Sequence, residues 1–92
     1  MLRWKKSIRK LAVNVLDLPE DLVHRVPRLI MTGDMQLSIE NHKGVDVFTS
    51  ELLRLRLETG KLEIAGKDLS IRIILKDEVQ VDGVIERIQF IR

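Results

Sequence analysis

The segment at residues 53–73 constrains the fold most, because its apolar residues alternate with polar ones. This period of two is typical of strands that bury one face. The alternating apolar positions are Leu53, Leu55, Leu57, Leu62, Ile64, Leu69, Ile71 and Ile73. Thr59 with Gly60, and Gly66 with Lys67, offer tight turns between the runs. The segment therefore predicts a three-stranded antiparallel meander with one apolar face.

Tight turns at these two places also predict a register. A two-residue turn at Thr59 and Gly60 puts Leu57 opposite Leu62 and Arg56 opposite Glu63. A slip of one residue would turn the leucines toward water, so the pattern and the turns favour the same pairing. The residues predicted to be buried are Leu55, Leu57, Leu62, Ile64, Leu69 and Ile71. Those predicted to lie outside are Arg54, Arg56, Glu63 and Arg72.

Shorter alternating runs extend the sheet on both sides. The first begins near Leu29 and crosses a hairpin turn at Gly33 and Asp34. After the meander the apolar parity continues until Asp82 and Gly83, where it changes. This change predicts either a final hairpin or a bulge in one long bent strand. We predict a mainly-β domain over residues 27–92, a small antiparallel β-sandwich or barrel-like meander of seven to eight short strands.

The loop at residues 41–44 is the candidate site within this domain. A short loop between two strands needs a left-handed residue, which predicts a positive φ at Gly44, with Asn41 as the second position that tolerates one. His42 and Lys43 complete the loop. His42 is the better of the two histidines for a functional role, although a loop histidine is usually only solvated.

Residues 2–18 have the period of a helix instead of a strand. The apolar stripe is Trp4, Ile8, Leu11, Val15 and Leu18. Pro19 should end the helix, and residues 1–26 form an N-terminal helical segment. Two interpretations stay open: the stripe packs on the sheet, or a basic amphipathic helix lies on an anionic membrane or a partner protein. The binding residues in the second case are Trp4, Lys5, Lys6, Ile8, Arg9, Lys10 and Leu11.

Composition narrows the class of protein. Sixteen basic and fourteen acidic residues leave a net charge of only +2, which does not indicate a general polyanion binder. Cysteine is absent, which excludes disulfides and thiolate metal sites. No apolar run approaches the roughly 18–20 residues of a transmembrane helix, and no secretory signal is recognisable. We predict a cytoplasmic protein that could meet a membrane only peripherally, through its N-terminal helix.

Motifs for catalysis are missing. His24 and His42 lie in different elements, and nothing links either of them to a nucleophile or a metal. We therefore predict no enzyme activity, no catalytic or metal-ligating residues and no cofactor. The alternative is a small β-barrel that binds nucleic acid through Arg54, Arg56 and Arg72. The chain has no tyrosine and only three aromatic residues, so the stacking platform of such modules is missing.

Several stretches resemble one protein family. They are residues 36–44 (QLSIENHKG), 60–71 (GKLEIAGKDLSI) and 81–86 (VDGVIE), with Trp4-Lys5 and residues 18–21 (LPED) near the start. On these stretches the chain resembles the YabP/YqfC family of sporulation proteins from endospore-forming bacteria, in its YqfC branch. The most specific part is the loop that runs from Glu40 to Gly44.

The resemblance implies a role in endospore formation in the mother cell and a sandwich-like, mainly-β domain. It implies no catalytic residues. Together with the basic N-terminal segment, it predicts an interaction or scaffolding module with protein partners in the sporulation machinery. A homo-oligomer is compatible with this prediction, and the nucleic-acid-binding β-barrel stays as the alternative.

Overall fold

The computed structural model describes residues 25–92, and these form one antiparallel sheet of six strands. The strands are β1 (Arg28–Thr32), β2 (Gln36–Glu40), β3 (Gly44–Phe48), β4 (Leu52–Arg56), β5 (Lys61–Ile74) and β6 (Glu78–Ile91). Their order in the sheet is β1-β2-β6-β5-β4-β3. The predicted mainly-β, antiparallel class is confirmed, but the described residues form one open, bent sheet of six strands instead of a sandwich or barrel-like meander of seven to eight. The helix predicted for residues 2–18 lies outside the described residues.

The β4–β5 hairpin forms as the alternating leucines predict, but in a different register. Leu55 lies opposite Leu62, and Arg54 lies opposite Glu63. The connection is four residues long, and Leu57 N–H donates to Gly60 O at 3.0 Å. The two-residue shift leaves every side chain on its predicted face, because faces alternate with a period of two. The predicted partner of Glu63 is therefore wrong, although the predicted apolar face is right.

No hairpin turn forms at Gly66 and Lys67, so the predicted third strand of the meander is the second half of β5. The pairing of β5 with β6 shifts register twice between Ala65 and Ser70, and Asp68 takes a φ of 53°. Extra residues of this kind bend a strand without reversing it, and they change which residues face the core. Gly66 therefore marks a bend in β5 and not a turn.

At Asp82 and Gly83, β6 likewise continues as one bent strand, which decides between the two alternatives left open by the sequence. Gly83 has a φ of 135°, and a Cβ atom there would lie 2.7 Å from the carbonyl oxygen of Asp68. A Cβ on Gly66 would collide with the carbonyl oxygen of Val84. The two long strands therefore approach each other at the bend more closely than any side chain allows.

The bend lets the sheet cover its own apolar face. One half consists of β1, β2, the start of β6 and the end of β5; the other consists of β3, β4, the start of β5 and the end of β6. The side chains with no exposed surface are Leu37, Ile39, Val79 and Val81 in the first half and Leu53, Leu55, Leu62 and Ile64 in the second. All belong to one cluster, which Leu69 and Ile85 complete near the bend. The core therefore lies between the two halves.

The two short hairpins hold the bend through their turns. In each turn, two backbone carbonyls accept hydrogen bonds from one long strand where that strand bends. These bonds are Ile85 N to Asp34 O (2.7 Å), Gly83 N to Met35 O (3.1 Å), Leu69 N to Ser50 O (2.8 Å) and Gly66 N to Glu51 O (3.0 Å). The β1–β2 turn thus supports β6, and the β3–β4 turn supports β5.

Burial follows the prediction except at Leu57, Ile71 and Glu63. Leu55, Leu62, Ile64 and Leu69 are buried as predicted, whereas Leu57 and Ile71 are only half-buried. Glu63 lies on the outer face but is only 8% exposed. Arg54 contacts its Oε2 through Nε at 2.7 Å and Nη2 at 2.5 Å, and Arg87 Nη2 lies 3.9 Å from its Oε1. A carboxylate can be buried in this way because it is paired and hydrogen-bonded.

Two isoleucines of β5 test the burial pattern. Ile64 has no exposed surface, whereas Ile73 is 46% exposed. We expect Ile64→Ala to lower the free energy of unfolding by about 2–4 kcal/mol, because it leaves a cavity in the core. The matched change Ile73→Ala should cost less than about 1.5 kcal/mol. Urea titration at low protein concentration measures both; equal losses would contradict the observed packing.

Candidate functional site

The loop at residues 41–44 joins β2 to β3 where four parts of the chain meet. Asn41 has a φ of 68° and Gly44 a φ of 150°, which confirms the predicted left-handed positions. The loop's bonds to its surroundings are Asn41 Nδ2 to Val26 O (2.9 Å), His42 N to Asp77 O (3.2 Å) and Lys43 N to Arg56 O (2.7 Å). These bonds tie the loop to the segment before β1, to the end of β4 and to the β5–β6 turn.

His42 is buried within this loop, with only 2% of its surface exposed. Its Nδ1 accepts a hydrogen bond from Gly44 N–H at 3.0 Å, so a neutral ring carries its proton on Nε2. Within residues 25–92, that Nε2 has no hydrogen-bond partner. The expectation that a loop histidine is solvated is therefore wrong: His42 fixes the loop from inside.

An ion-pair cluster lies beside the loop. The Asp46 carboxylate contacts Arg56 Nε at 2.7 Å and Lys61 Nζ at 3.3 Å, and its side chain is 22% exposed. Desolvation alone would raise the pKa of Asp46, but hydrogen bonds and charges from Arg56 and Lys61 outweigh it and hold this pKa below its usual value of 3.8. The cluster's contribution to stability is thus present above pH 3.8 and is lost as the pH falls through the lowered pKa.

A groove of about 360 Å³ lies near the loop, and Lys61 belongs both to its lining and to the ion-pair cluster. Its apolar lining includes Phe90, which is 50% exposed, and Val26, which is 42% exposed. The charged residues that line it are Arg25, Glu58, Lys61 and Arg92. Arg25 and Val26 are the first described residues, so the N-terminal segment joins the domain at this groove. It is an apolar surface with mainly basic surroundings.

Glu58 connects the groove to the loop. Its two carboxylate oxygens lie 3.5 Å from Lys43 Nζ and 3.9 Å from Arg25 Nε. All three side chains are substantially exposed, so these pairs contribute little to stability. They do bring Lys43 of the loop and Arg25 of the segment before β1 together around Glu58. Sequence reasoning named Lys43 but missed the groove, because its walls come from both ends of the described chain and from the β4–β5 connection, which are distant in sequence.

The other predicted site residues divide into two groups. Trp4, Lys5, Lys6, Ile8, Arg9, Lys10 and Leu11 lie outside the described residues. The arginines considered for nucleic-acid binding are each paired with an acid: Arg54 with Glu63, Arg56 with Asp46, and Arg72 with Asp82 at 3.3 Å. Residues 25–92 contain no group of three or more potential ligands placed to hold a metal ion. They also contain no helix long and apolar enough to cross a membrane.

Comparison with known proteins gives two matches. The model of the YabP family matches residues 24–92, which include the whole described sheet. The uncharacterized protein YqfC of Bacillus subtilis (strain 168) is 31% identical over 87 residues, which cover 95% of this chain and 94% of that protein. No solved structure matches. The resemblance found in the sequence is therefore confirmed.

Replacement of the His42 acceptor tests its role in the loop. In His42→Leu the ring is exchanged for an apolar side chain, which leaves Gly44 N–H without its acceptor. We expect a loss of about 1–3 kcal/mol in unfolding free energy. Amide hydrogen exchange should accelerate at Gly44, while Lys43 N–H, bonded to Arg56 O, serves as the internal control. A Gly44 amide that stays as protected as in the wild type would contradict this role.

Proposed function

Because the chain belongs to the YabP family, we propose that it acts in endospore formation, as a non-enzymatic interaction module in the mother cell. The process is carried over from the sporulation family that the sequence resembles. Similarity to the uncharacterized protein YqfC runs along nearly the whole of both chains, so the family resemblance is not confined to one part of this chain. The interaction role rests on the surface of this chain.

The single observation that carries the interaction role is the groove beside the loop. Half-exposed Phe90 and Val26 lie there next to the basic side chains of Arg25 and Lys61. Exposed apolar surface with cationic neighbours is what an anionic membrane surface attracts. The sequence before Arg25 carries five basic residues ahead of its first acid, Asp17. We propose that this segment and the groove together form one surface that attaches the protein peripherally to an anionic membrane.

In this proposal the β domain is a scaffold that presents the N-terminal segment. The apolar stripe of that segment supplies buried area, and each basic residue adds about 1 kcal/mol near an anionic leaflet. Such binding is weak and sensitive to salt, because screening lengths fall to about 8 Å at physiological ionic strength. Protein partners of the sporulation machinery would then meet the exposed remainder of the sheet.

Vesicle sedimentation tests membrane attachment. The full chain should bind vesicles of phosphatidylglycerol and phosphatidylcholine at low salt, and should not bind vesicles of phosphatidylcholine alone. Lys5→Glu/Lys6→Glu should abolish binding. Lys67→Glu/Lys76→Glu changes the net charge equally at two exposed positions of the β domain, away from the groove, and should retain most of the binding. Equal loss in both variants would indicate a net-charge effect and would contradict the proposed surface.

Further variants test whether the groove takes part in vesicle binding, and whether the N-terminal stripe packs on the sheet instead. Phe90→Ser should weaken binding, whereas Phe48→Ser, at a phenylalanine of similar exposure on β3, should not. If the N-terminal stripe instead packs on the sheet, the wild type will not sediment with vesicles and Leu11→Asp will melt at a much lower temperature. That pair of results would exclude the membrane role.

The role in spore formation is tested in the source organism. Deletion of the gene should lower the yield of mature spores, and expression restricted to the mother cell should restore it. Expression restricted to the forespore is the matched control and should not. Rescue from the forespore alone would contradict the proposed compartment, and normal spore yield without the gene would contradict the process.

A further inference from the structure

In the part of the chain that the structure describes, the second half of β5 is a free sheet edge. Residues 70–74 pair with β6, and no other strand within residues 25–92 pairs with them on the opposite side. Leu75 N–H donates to Glu78 O at 2.7 Å in the β5–β6 turn. Because backbone groups alternate in direction along an antiparallel pair, N–H and C=O of Ile74 point away from β6, toward the free side. This edge can therefore accept another strand.

Apolar side chains cover both faces of this edge. Ile73 is 46% exposed, Ile74 is 57% exposed and Leu75 is 56% exposed. Ile74 lies opposite the fully buried Val79, so it stands on the core face of the sheet, and no strand of residues 25–92 pairs with it on the side away from β6. A strand added here would cover Ile74 and extend the core, which is how sheet edges recruit partners.

Two other edges of the sheet carry features that hinder such pairing. The register of β3 shifts between Val45 and Val47, and β3 carries the paired Asp46. The second half of β6 presents the exposed charges of Glu86 and Arg87. Charges and bulges are the usual protection of an edge strand. The second half of β5 has its own register shift before Ile73, but no charge from Ile73 to Leu75.

Charge favours a second copy of the same chain as the partner. Asp68 and Lys76 flank the edge at equal distance from Arg72; both are exposed, and neither forms an ion pair in the part of the chain that the structure describes. Antiparallel pairing of two copies brings Asp68 of each close to Lys76 of the other, whereas parallel pairing brings like charges together. Arg72, at the centre, is already paired with Asp82 of its own chain at 3.3 Å.

We propose that two copies associate through the second halves of their β5 strands, antiparallel and about a two-fold axis near Arg72. The result is one continuous sheet across the dimer. The contact is short and involves about five residues of each strand, so it buries less than the roughly 800 Å² per partner of a standard interface. Dissociation constants of about 10–1000 μM are therefore expected. The inference does not use the groove or the N-terminal segment, so it stands or falls separately from membrane attachment.

Sedimentation velocity of the full chain over a range of concentrations tests the dimer. Ile74→Lys should raise the dissociation constant at least about tenfold, because it places a charge on the free edge. Ile30→Lys is the matched control: Ile30 is 46% exposed and lies on β1, the opposite edge of the same half of the sheet. It should leave the dissociation constant unchanged. A monomer at all concentrations, or a dimer broken by Ile30→Lys and not by Ile74→Lys, would overturn the proposal.

Charge variants test the antiparallel arrangement without touching the core. Asp68→Asn should weaken the wild-type dimer, because it removes the attraction to Lys76 of the other copy. In a Lys76→Glu protein the same change should strengthen the dimer, because it removes a repulsion. Asparagine is chosen because Asp68 has a φ of 53°, which asparagine tolerates. An effect of Asp68→Asn with the same sign in both proteins would overturn antiparallel self-pairing.

Discussion

The close approach of β5 and β6 at Gly66 and Gly83 is the constraint on which the rest of the structure depends. Neither position has room for a side chain, because backbone atoms of the other long strand occupy it. At this point both strands bend, so one sheet can supply both walls of its own core. Within residues 25–92, the eight large side chains with no exposed surface come from both halves of the bent sheet and belong to one cluster.

The bend also gives the sheet an approximate two-fold relation. Hairpin β1–β2 pairs with the start of β6 and bonds to its bend, as hairpin β3–β4 pairs with the start of β5 and bonds to that bend. Each long strand therefore has two neighbours in one half of the sheet and one neighbour in the other. The free edges at the ends of β5 and β6 follow directly from this arrangement. One is charged and the other is apolar, so of these two edges the end of β5 is the one that suits self-association.

The elements that could be predicted from sequence are those that local periodicity decides. The buried face of Leu55, Leu62 and Ile64 follows from a period of two, and that period survives a register shift of two residues. For the same reason the period could not reveal the shift, which only the length of the loop determines.

Hairpin turns were harder to distinguish from β-bulges on the basis of the sequence. Glycine next to a polar residue marks Gly33, Gly66 and Gly83, yet only Gly33 lies in a hairpin turn. A turn and a bend need the same backbone freedom; the outcome depends on which distant strand pairs with the next residues. Burial of His42 was missed for a related reason. The backbone N–H of His42 donates to the carbonyl of Asp77, which is distant in sequence, and no local pattern predicts that hydrogen bond.

The loop that carries the most specific part of the family resemblance has a physical task in this architecture. Asn41 donates to the carbonyl of Val26, near the start of the described residues. Its positive φ turns the chain just before the buried His42. Lys43 and Arg25 share Glu58 at the same place. The loop thus fixes Arg25 and Val26, to which the segment that we propose to bind a membrane is joined. It holds these two residues beside the apolar groove. In the proposed membrane attachment, the loop would therefore contribute by holding Val26 beside the groove, without itself touching the membrane.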